Sequence, residues 1–324
     1  MKKALLLLAT LTLTAVQVKA DIASTVMLHH NGSTTLFAWD KVQDAVNAAV
    51  DGDTIYLSNG QFAPFNINKR IMVRGTGFDT TINGDCVINI SGTTPLTMPV
   101  LDAMSFNGMV TVQGGYDQFT MRKCQMRDLK FMEGDFYDVK LDRCYVVEQF
   151  YMTKNIKEFN AFNCKFYELI PHDYTTGNAK FVHCNLFQVS DTITASFYDC
   201  ALGECSKFSS AKTYTNFVGC YFENCTVVKL SHGNLTSNMS YNNTSKLVNC
   251  TVLSYESSYD GTFGVHYSNT KYKCPDGTVV GAYGGTQPFT LWPELPAVTK
   301  HVVKVDAENK KLNVTLTVDK KVKY

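Results

Sequence analysis

Cysteine returns along the middle of this chain with a fixed step: Cys124, Cys144, Cys164 and Cys184 are each 20 residues apart, and Cys200 to Cys220 and Cys205 to Cys225 repeat that step. The neighbours repeat with them, in the order apolar, any, polar, Cys, any, apolar. Met121-Arg-Lys-Cys124-Gln-Met126, Leu141-Asp-Arg-Cys144-Tyr-Val146, Phe181-Val-His-Cys184-Asn-Leu186, Phe217-Val-Gly-Cys220-Tyr-Phe222 and Leu247-Val-Asn-Cys250-Thr-Val252 are five copies. An internal repeat of this length constrains the fold more than any single residue does.

Each unit alternates apolar and polar with period 2, as a half-buried strand does, except at the polar position before Cys. That position holds Lys123, Arg143, Asn163, His183, Asp199, Gly219 and Asn249. Asn, Asp, His and Gly tolerate a left-handed backbone best, so the site reads as a sharp bend between two short strands. A chain that bends this way every coil, in register, is a solenoid of parallel strands. The Cys and the apolar residues three before and two after it then stack into an interior core. Leucine-rich repeats have a similar period, but they require Leu at fixed positions and a helical return. Here Phe, Met, Val and Cys interchange, without a 3.6 period.

The N-terminus has a basic tip, an apolar run from Ala4 to Val18 that is too short for a bilayer, and small residues at Val18-Lys-Ala20. Residues 1–20 therefore read as a signal peptide cleaved near Ala20, and the mature chain is expected outside the cytoplasm, periplasmic or extracellular, with no membrane span. Removing the peptide takes away three lysines and moves the formal charge from +1 to −2. With that balance and only five arginines, nucleic acid is not an expected partner. A solenoid grows by adding coils to one core, so residues 39–285 form one expected domain.

Before it, residues 21–38 read as a hairpin around Asn31-Gly32, a strong two-residue turn signal. Val42, Ala45, Val46, Ala49 and Val50 share one helical face, predicting a helix at about 40–50 with Asp40 as cap and Gly52 as stop. Laid across the first coil, it would cover the solenoid's open end. The run Ala45-Val-Asn-Ala-Ala-Val-Asp-Gly52-Asp53-Thr54-Ile55-Tyr56-Leu57, with Gly60 and Arg74-Gly75-Thr76-Gly77, resembles the opening of pectin-lyase-like right-handed parallel β-helix proteins. Gly281-Ala-Tyr-Gly-Gly285 with Pro288 is similar to the last coil of secreted bacterial members. The resemblance implies an all-β, right-handed parallel β-helix with an N-terminal capping helix. It implies no single activity, because that family includes lyases, hydrolases, esterases and adhesins.

Ser91–Pro99 and Ser231–Ser245 read as loops thrown out of the stack. Pro288, Pro293 and Pro296 begin a stiff link, so residues 286–324 are a Pro-rich link followed by a C-terminal β-hairpin, Val298–Asp306 with Leu312–Val318. The eleven cysteines are an odd number for complete pairing, and stacked Cβ vectors run side by side, so the ladder reads as buried reduced thiols.

The chain holds no Gly-x-Ser-x-Gly, phosphate loop, His-Glu-x-x-His or Cys-x-x-Cys. The motifs of the resembled family's characterised enzymes are absent too, so no catalytic residue is carried over. His29, His30, His172, His183, His232 and His266 are scattered and read as structural. Outer positions of the central coils are rich in Tyr137, Tyr145, Tyr151, Tyr167 and Tyr174, and flat rings beside carboxylates suit a sugar. Tyr145, Tyr151 and Tyr167 are thus the candidate ligand-binding residues. Four residues after the ladder cysteine stand Asp128, Glu148, Glu168, Gln188, Glu204 and Asn224. In register, Asp128, Glu148 and Glu168 would form an acidic row able to hold Ca²⁺, the one cofactor the pattern suggests, none being required. Arg127 or Lys165 beside it would be the candidate base of a lyase. The reading favoured is an exported β-helix protein, at the surface or in the periplasm, that binds or displays against polysaccharide without obvious catalysis. A polysaccharide lyase or hydrolase is the alternative, and a structural or adhesive solenoid the third. Nothing in the sequence sets the oligomeric state.

Overall fold

Strand alternation interrupted at regular bends leaves each coil one apolar edge, which only another coil can cover. The computed structural model follows that logic. It describes residues 24–90, 99–132, 134–172, 174–189 and 193–202, with shorter pieces at 221–223, 225–230, 246–248, 251–255, 276–278, 280–282, 289, 297–306 and 311–319. The described chain is all-β with one short helix, and its body is a parallel β-solenoid.

It opens with the expected hairpin, β1 (Thr25–His30) against β2 (Ser33–Ala38). Asn31 (φ 45°) and Gly32 (φ 79°) both take the positive φ that a type I′ turn demands. Helix α1 spans Val42–Ala48 and buries Val42, Ala45 and Val46. Lys41 rather than Asp40 stands at its N-cap, without a side-chain cap bond, which corrects the expected start. β1 also pairs antiparallel with β3 (Thr54–Leu57) of the first coil, which continues through β4 (Gly60–Phe62) and β5 (Asn66–Ile67). Gln43 on α1 treats β5 as a strand would. Its Oε1 accepts the Asn66 amide at 2.7 Å and its Nε2 donates to the Asn66 carbonyl at 3.2 Å. Lys69 donates to the carbonyls of Val46, Asn47 and Ala49, satisfying groups that a helix end leaves bare.

The next coil, β6 (Met72–Arg74), β7 (Thr80–Ile82) and β8 (Cys86–Asn89), lies parallel on the first, strand for strand. In the third coil one long strand, β9 (Leu101–Gln113), runs past β6, β7 and β8 in turn. Each coil therefore has three faces, and β10 (Tyr116–Phe131) repeats the path of β9. Later coils divide at the bend: β11 (Phe136–Asp142) with β12 (Tyr145–Tyr151), β13 (Ile156–Phe162) with β14 (Lys165–Ile170), β15 (Tyr174–Val182) with β16 (Asn185–Val189), and β17 (Ile193–Tyr198) with β18 (Ala201–Leu202). β19 (Tyr221–Glu223), β20 (Thr226–Leu230), β21 (Lys246–Val248) and β22 (Thr251–Tyr255) extend the stack. β23 (Ala297–Asp306) and β24 (Lys311–Asp319) form a two-stranded antiparallel sheet of their own.

The bend is left-handed where the repeat places it: Lys123, Arg143, Asn163, His183 and Asp199 have φ between 50° and 53°. Ala103 (φ 59°) bends the same way before Met104, which takes the ladder position one coil below Cys124. Gly219 and Asn249 lie outside the described residues. The core inside these bends is aromatic. Phe159, Phe181 and Phe197 form a column with centroids 5.4 and 5.0 Å apart, the first pair tilted and the second stacked, and each is fully buried. Burying one such side chain contributes about 1.5–3 kcal/mol.

Cys86, Cys124, Cys144, Cys164, Cys184, Cys200 and Cys225 are buried free thiols. They do more than fill space. Cys164 Sγ accepts the Cys144 amide at 3.4 Å and donates to the Leu141 carbonyl at 3.4 Å, so it serves two backbone groups of the preceding coil. Cys184 donates to Ala161 O and Cys200 to Phe181 O, each at 3.4 Å. The ladder departs from the expected order once. Phe197 pairs with Phe222 and Ala201 with Thr226, so the rung after Cys200 is Cys225 rather than Cys220. The repeat unit there is Phe222-Glu-Asn-Cys225-Thr-Val227, and the expected unit around Cys220 is displaced by five residues.

Candidate functional site

The acidic row forms differently from its expected order. Between the second and third faces the chain turns a corner, and there the register slips: Val146 lies on Phe166, but Gln149 lies on Glu168. The same slip follows Met126. One extra residue in β12 pushes Glu148 out as a bulge and puts Gln149 between Asp128 and Glu168. This corrects the expected row of Asp128, Glu148 and Glu168. Gln149 binds both neighbours, its backbone amide donating to Asp128 Oδ1 at 3.0 Å and its Nε2 to Glu168 Oε2 at 2.9 Å. Asp85 plays the part of Asp128 two coils earlier, accepting the Met109 amide at 2.8 Å. These corner carboxylates close the backbone hydrogen bonds that a bulge interrupts. Among the described residues no three His, Cys, Asp or Glu side chains converge as a metal site.

Arg127 is held in the same network. Its Nε lies 2.8 Å from Asp128 Oδ2 and 4.0 Å from Glu148 Oε2. The hydrogen bond and charge of Asp128 raise the guanidinium above its usual value, which makes it a poor proton acceptor. Lys165 stands elsewhere, with its Nζ over the Tyr145 ring at 4.8 Å from the centroid. Tyr145 and Lys165 are register partners just after the ladder cysteine, whereas the carboxylates sit at the corner.

The three candidate tyrosines divide in the same way. Tyr167 stacks on Phe187 at 4.8 Å and 13°. With Tyr145 under Lys165, it belongs to the second face. Tyr151 lies beyond the corner, on the third face, where its ring is parallel to that of His172 at 5.8 Å and 11°. Lys130 Nζ approaches the Tyr151 ring to 5.5 Å. The phenol donates to Gln149 Oε1, which ties the ring to the corner network. Burial, then the charges of Asp128 and Glu168, push that phenol above its usual pKa, so it stays neutral and a donor.

Around Tyr151 the third face is concave. An open hollow of about 360 Å³ lies over Phe131 and is bordered by Lys130, Tyr151, Thr153, Lys154, Asn155 and His172. It offers aromatic side chains, two ammonium groups and a carboxamide in one place. The Thr153 hydroxyl is buried there without a hydrogen-bond partner. His172, read as structural in the sequence, and Lys130 become neighbours of Tyr151 only through the coil register. No motif could have signalled them.

Two further polar constellations escaped sequence reading. On the first face, Arg122 grips the buried Asp102 with two hydrogen bonds of 3.0 and 2.7 Å, and Arg74 reaches the same carboxylate from the preceding coil at 3.4 Å. Arg122 in turn lies on Asp142 in the register. Such an alternating ladder neutralises itself coil by coil. At the N-terminal end, His30 Nδ1 meets Asp53 Oδ1 at 2.7 Å, while Asp53 Oδ2 accepts the Val50 amide at 2.8 Å. His30 thereby braces the turn after α1.

No helix among the described residues is long and apolar enough to cross a membrane. No family model, curated protein or solved structure matches the chain.

Proposed function

We propose that this chain is an exported β-helix protein that binds polysaccharide on its outer surface without cleaving it. The observation that carries the reading is the hollow at Tyr151. The stacked Tyr151 and His172 rings present apolar edges against which a sugar ring packs. Lys130, Lys154 and Asn155 around it supply hydrogen-bonding groups for hydroxyls. Tyr145 and Tyr167, on the second face, form a secondary aromatic surface in this reading. The coil is taken as right-handed, with α1 as its cap, as in the pectin-lyase-like proteins that residues 39–285 resemble. The first 20 residues act as the cleaved export signal. The lyase or hydrolase reading is weaker because its two candidate bases are engaged elsewhere, Arg127 by Asp128 and Lys165 by Tyr145. The test is incubation of the mature protein with a panel of neutral and acidic polysaccharides, followed by assay of retention and of new chain ends. Retention without new ends supports binding. New unsaturated or reducing ends would replace it with the lyase or hydrolase reading, and neither outcome would leave the structural role.

A further inference from the structure

The outermost strand of the N-terminal hairpin carries information that the ligand hollow does not use. Among the described residues β2 pairs with β1 alone, while β1 is paired on both sides, with β2 and β3. The two-residue turn makes His30 and Ser33 a hydrogen-bonded pair. By alternation Ser33, Thr35 and Phe37 then direct their N–H and C=O groups to β1, and Thr34 and Leu36 direct theirs to the free edge. Five of the six β2 side chains are exposed, on both faces, and Leu36 keeps 66% of its surface in solvent. Natural edge strands are protected by charge, proline, a bulge or a cover. Ser33-Thr-Thr-Leu-Phe-Ala38 has neither charge nor proline, and its register with β1 runs without a bulge.

We infer that β2 is a self-association edge, pairing antiparallel with β2 of a second copy about a two-fold axis through Thr35. The register follows from which groups are free. Thr34 of one copy faces Leu36 of the other as a hydrogen-bonded pair, twice by symmetry, and Thr35 faces Thr35 as the non-hydrogen-bonded pair between them. The two sheets then join through a continuous set of strands, β3, β1 and β2 of each copy. Leu36 gains the cover of the facing Thr34, and a Thr–Thr pair across the axis is a favourable cross-strand contact. Because β2 is uncharged, an identical strand meets it without like-charge repulsion. The interface is isologous and closes at the dimer.

The test measures mass by light scattering and sedimentation over a concentration series for the mature wild type, Leu36→Lys and Thr34→Pro. Neither substitution removes a backbone hydrogen bond to β1, Thr34→Pro losing only the exposed 3.4 Å side-chain contact with His29, and circular dichroism and melting verify that each variant is folded. A wild-type dimer that both variants convert to monomer is the expected result. A wild type that stays monomeric throughout overturns the inference, as does a dimer unaffected by either variant. A third variant, Thr35→Cys, reads the register. Non-hydrogen-bonded partners have Cα atoms about 4.5 Å apart, within the disulfide range. Mild oxidation should therefore give a reducible crosslinked dimer that wild type does not give. Absence of that crosslink in a dimeric sample would contradict the axis.

Discussion

Cys164 reaches back one coil to Cys144: its sulfur accepts the Cys144 backbone amide at 3.4 Å, while its own thiol donates to the Leu141 carbonyl. The left-handed residue before each cysteine turns backbone groups towards the core, where a thiol both accepts and donates; Met104, after the same bend at Ala103, fills the position without donating. Replacing Cys164 by Ala should destabilise the protein by about 1–3 kcal/mol through the unsatisfied amide and carbonyl. Cys164→Ser should lose less. Denaturant unfolding of the two variants measures the difference, and equal losses would reduce the thiol to a space-filler.

Burial also keeps Cys86, Cys124, Cys164 and Cys200 protonated. It pushes Cys124, Cys164 and Cys200 above the usual thiol value and Cys86 up to about 12. An unfolded chain ionises its thiols near 9.0, so above that pH the unfolded state gains charge that the native state refuses. Stability should be flat with respect to these groups below about pH 8 and fall as pH rises from the usual thiol value through the raised native one. Urea midpoints across that range follow it. A midpoint that rises with pH there would contradict the sign.

Native protein should resist a thiol reagent, and denatured protein without reductant should label at Cys124, Cys144, Cys164, Cys184 and Cys225. Mass spectrometry of the labelled peptides locates them. Failure to label in denaturant would mean disulfides. Placing Asp at Phe181 or Leu141, both fully buried, should prevent folding, because an unpaired buried charge costs several kcal/mol.

Calcium should leave the melting curve where a chelator leaves it, since Gln149 stands between Asp128 and Glu168. A bound ion at about 100 times its dissociation constant would add roughly 2.7 kcal/mol, which a melting curve resolves. Separated curves would return the corner to consideration as a cation site.

The contrast between what the sequence discloses and what it hides follows from the physics of the coil. Bends at Lys123, Arg143, Asn163 and His183 are legible because a left-handed residue beside a buried cysteine recurs every 20 residues, and Asp199 because it stands in the same place before Cys200. The corner is not, because a bulge adds one residue without changing composition. Counting four from each cysteine therefore selected Glu148 where the register selects Gln149. The same blindness moved one rung to Cys220, since the coil from Cys200 to Cys225 is longer by five residues than the 20-residue step. The hollow was half legible: Tyr151 stood out as an outward ring, but His172 and Lys130 join it from neighbouring coils.

The account rests on the hollow at Tyr151, and equilibrium binding of the polysaccharide retained in the panel tests it most directly. Dissociation constants would be measured for wild type, Tyr151→Ala, His172→Ala, and the second-face variants Tyr145→Ala and Tyr167→Ala. Taking for each ring the about 0.5–1.5 kcal/mol that an aromatic contact contributes beyond its area, losing either ring of the Tyr151–His172 pair should weaken binding by about two- to twelvefold. The second-face variants should bind within about twofold of wild type, a difference of roughly 0.4 kcal/mol. Unchanged affinity in Tyr151→Ala and His172→Ala, with a loss in Tyr145→Ala or Tyr167→Ala instead, would contradict the assignment and move the site to the second face.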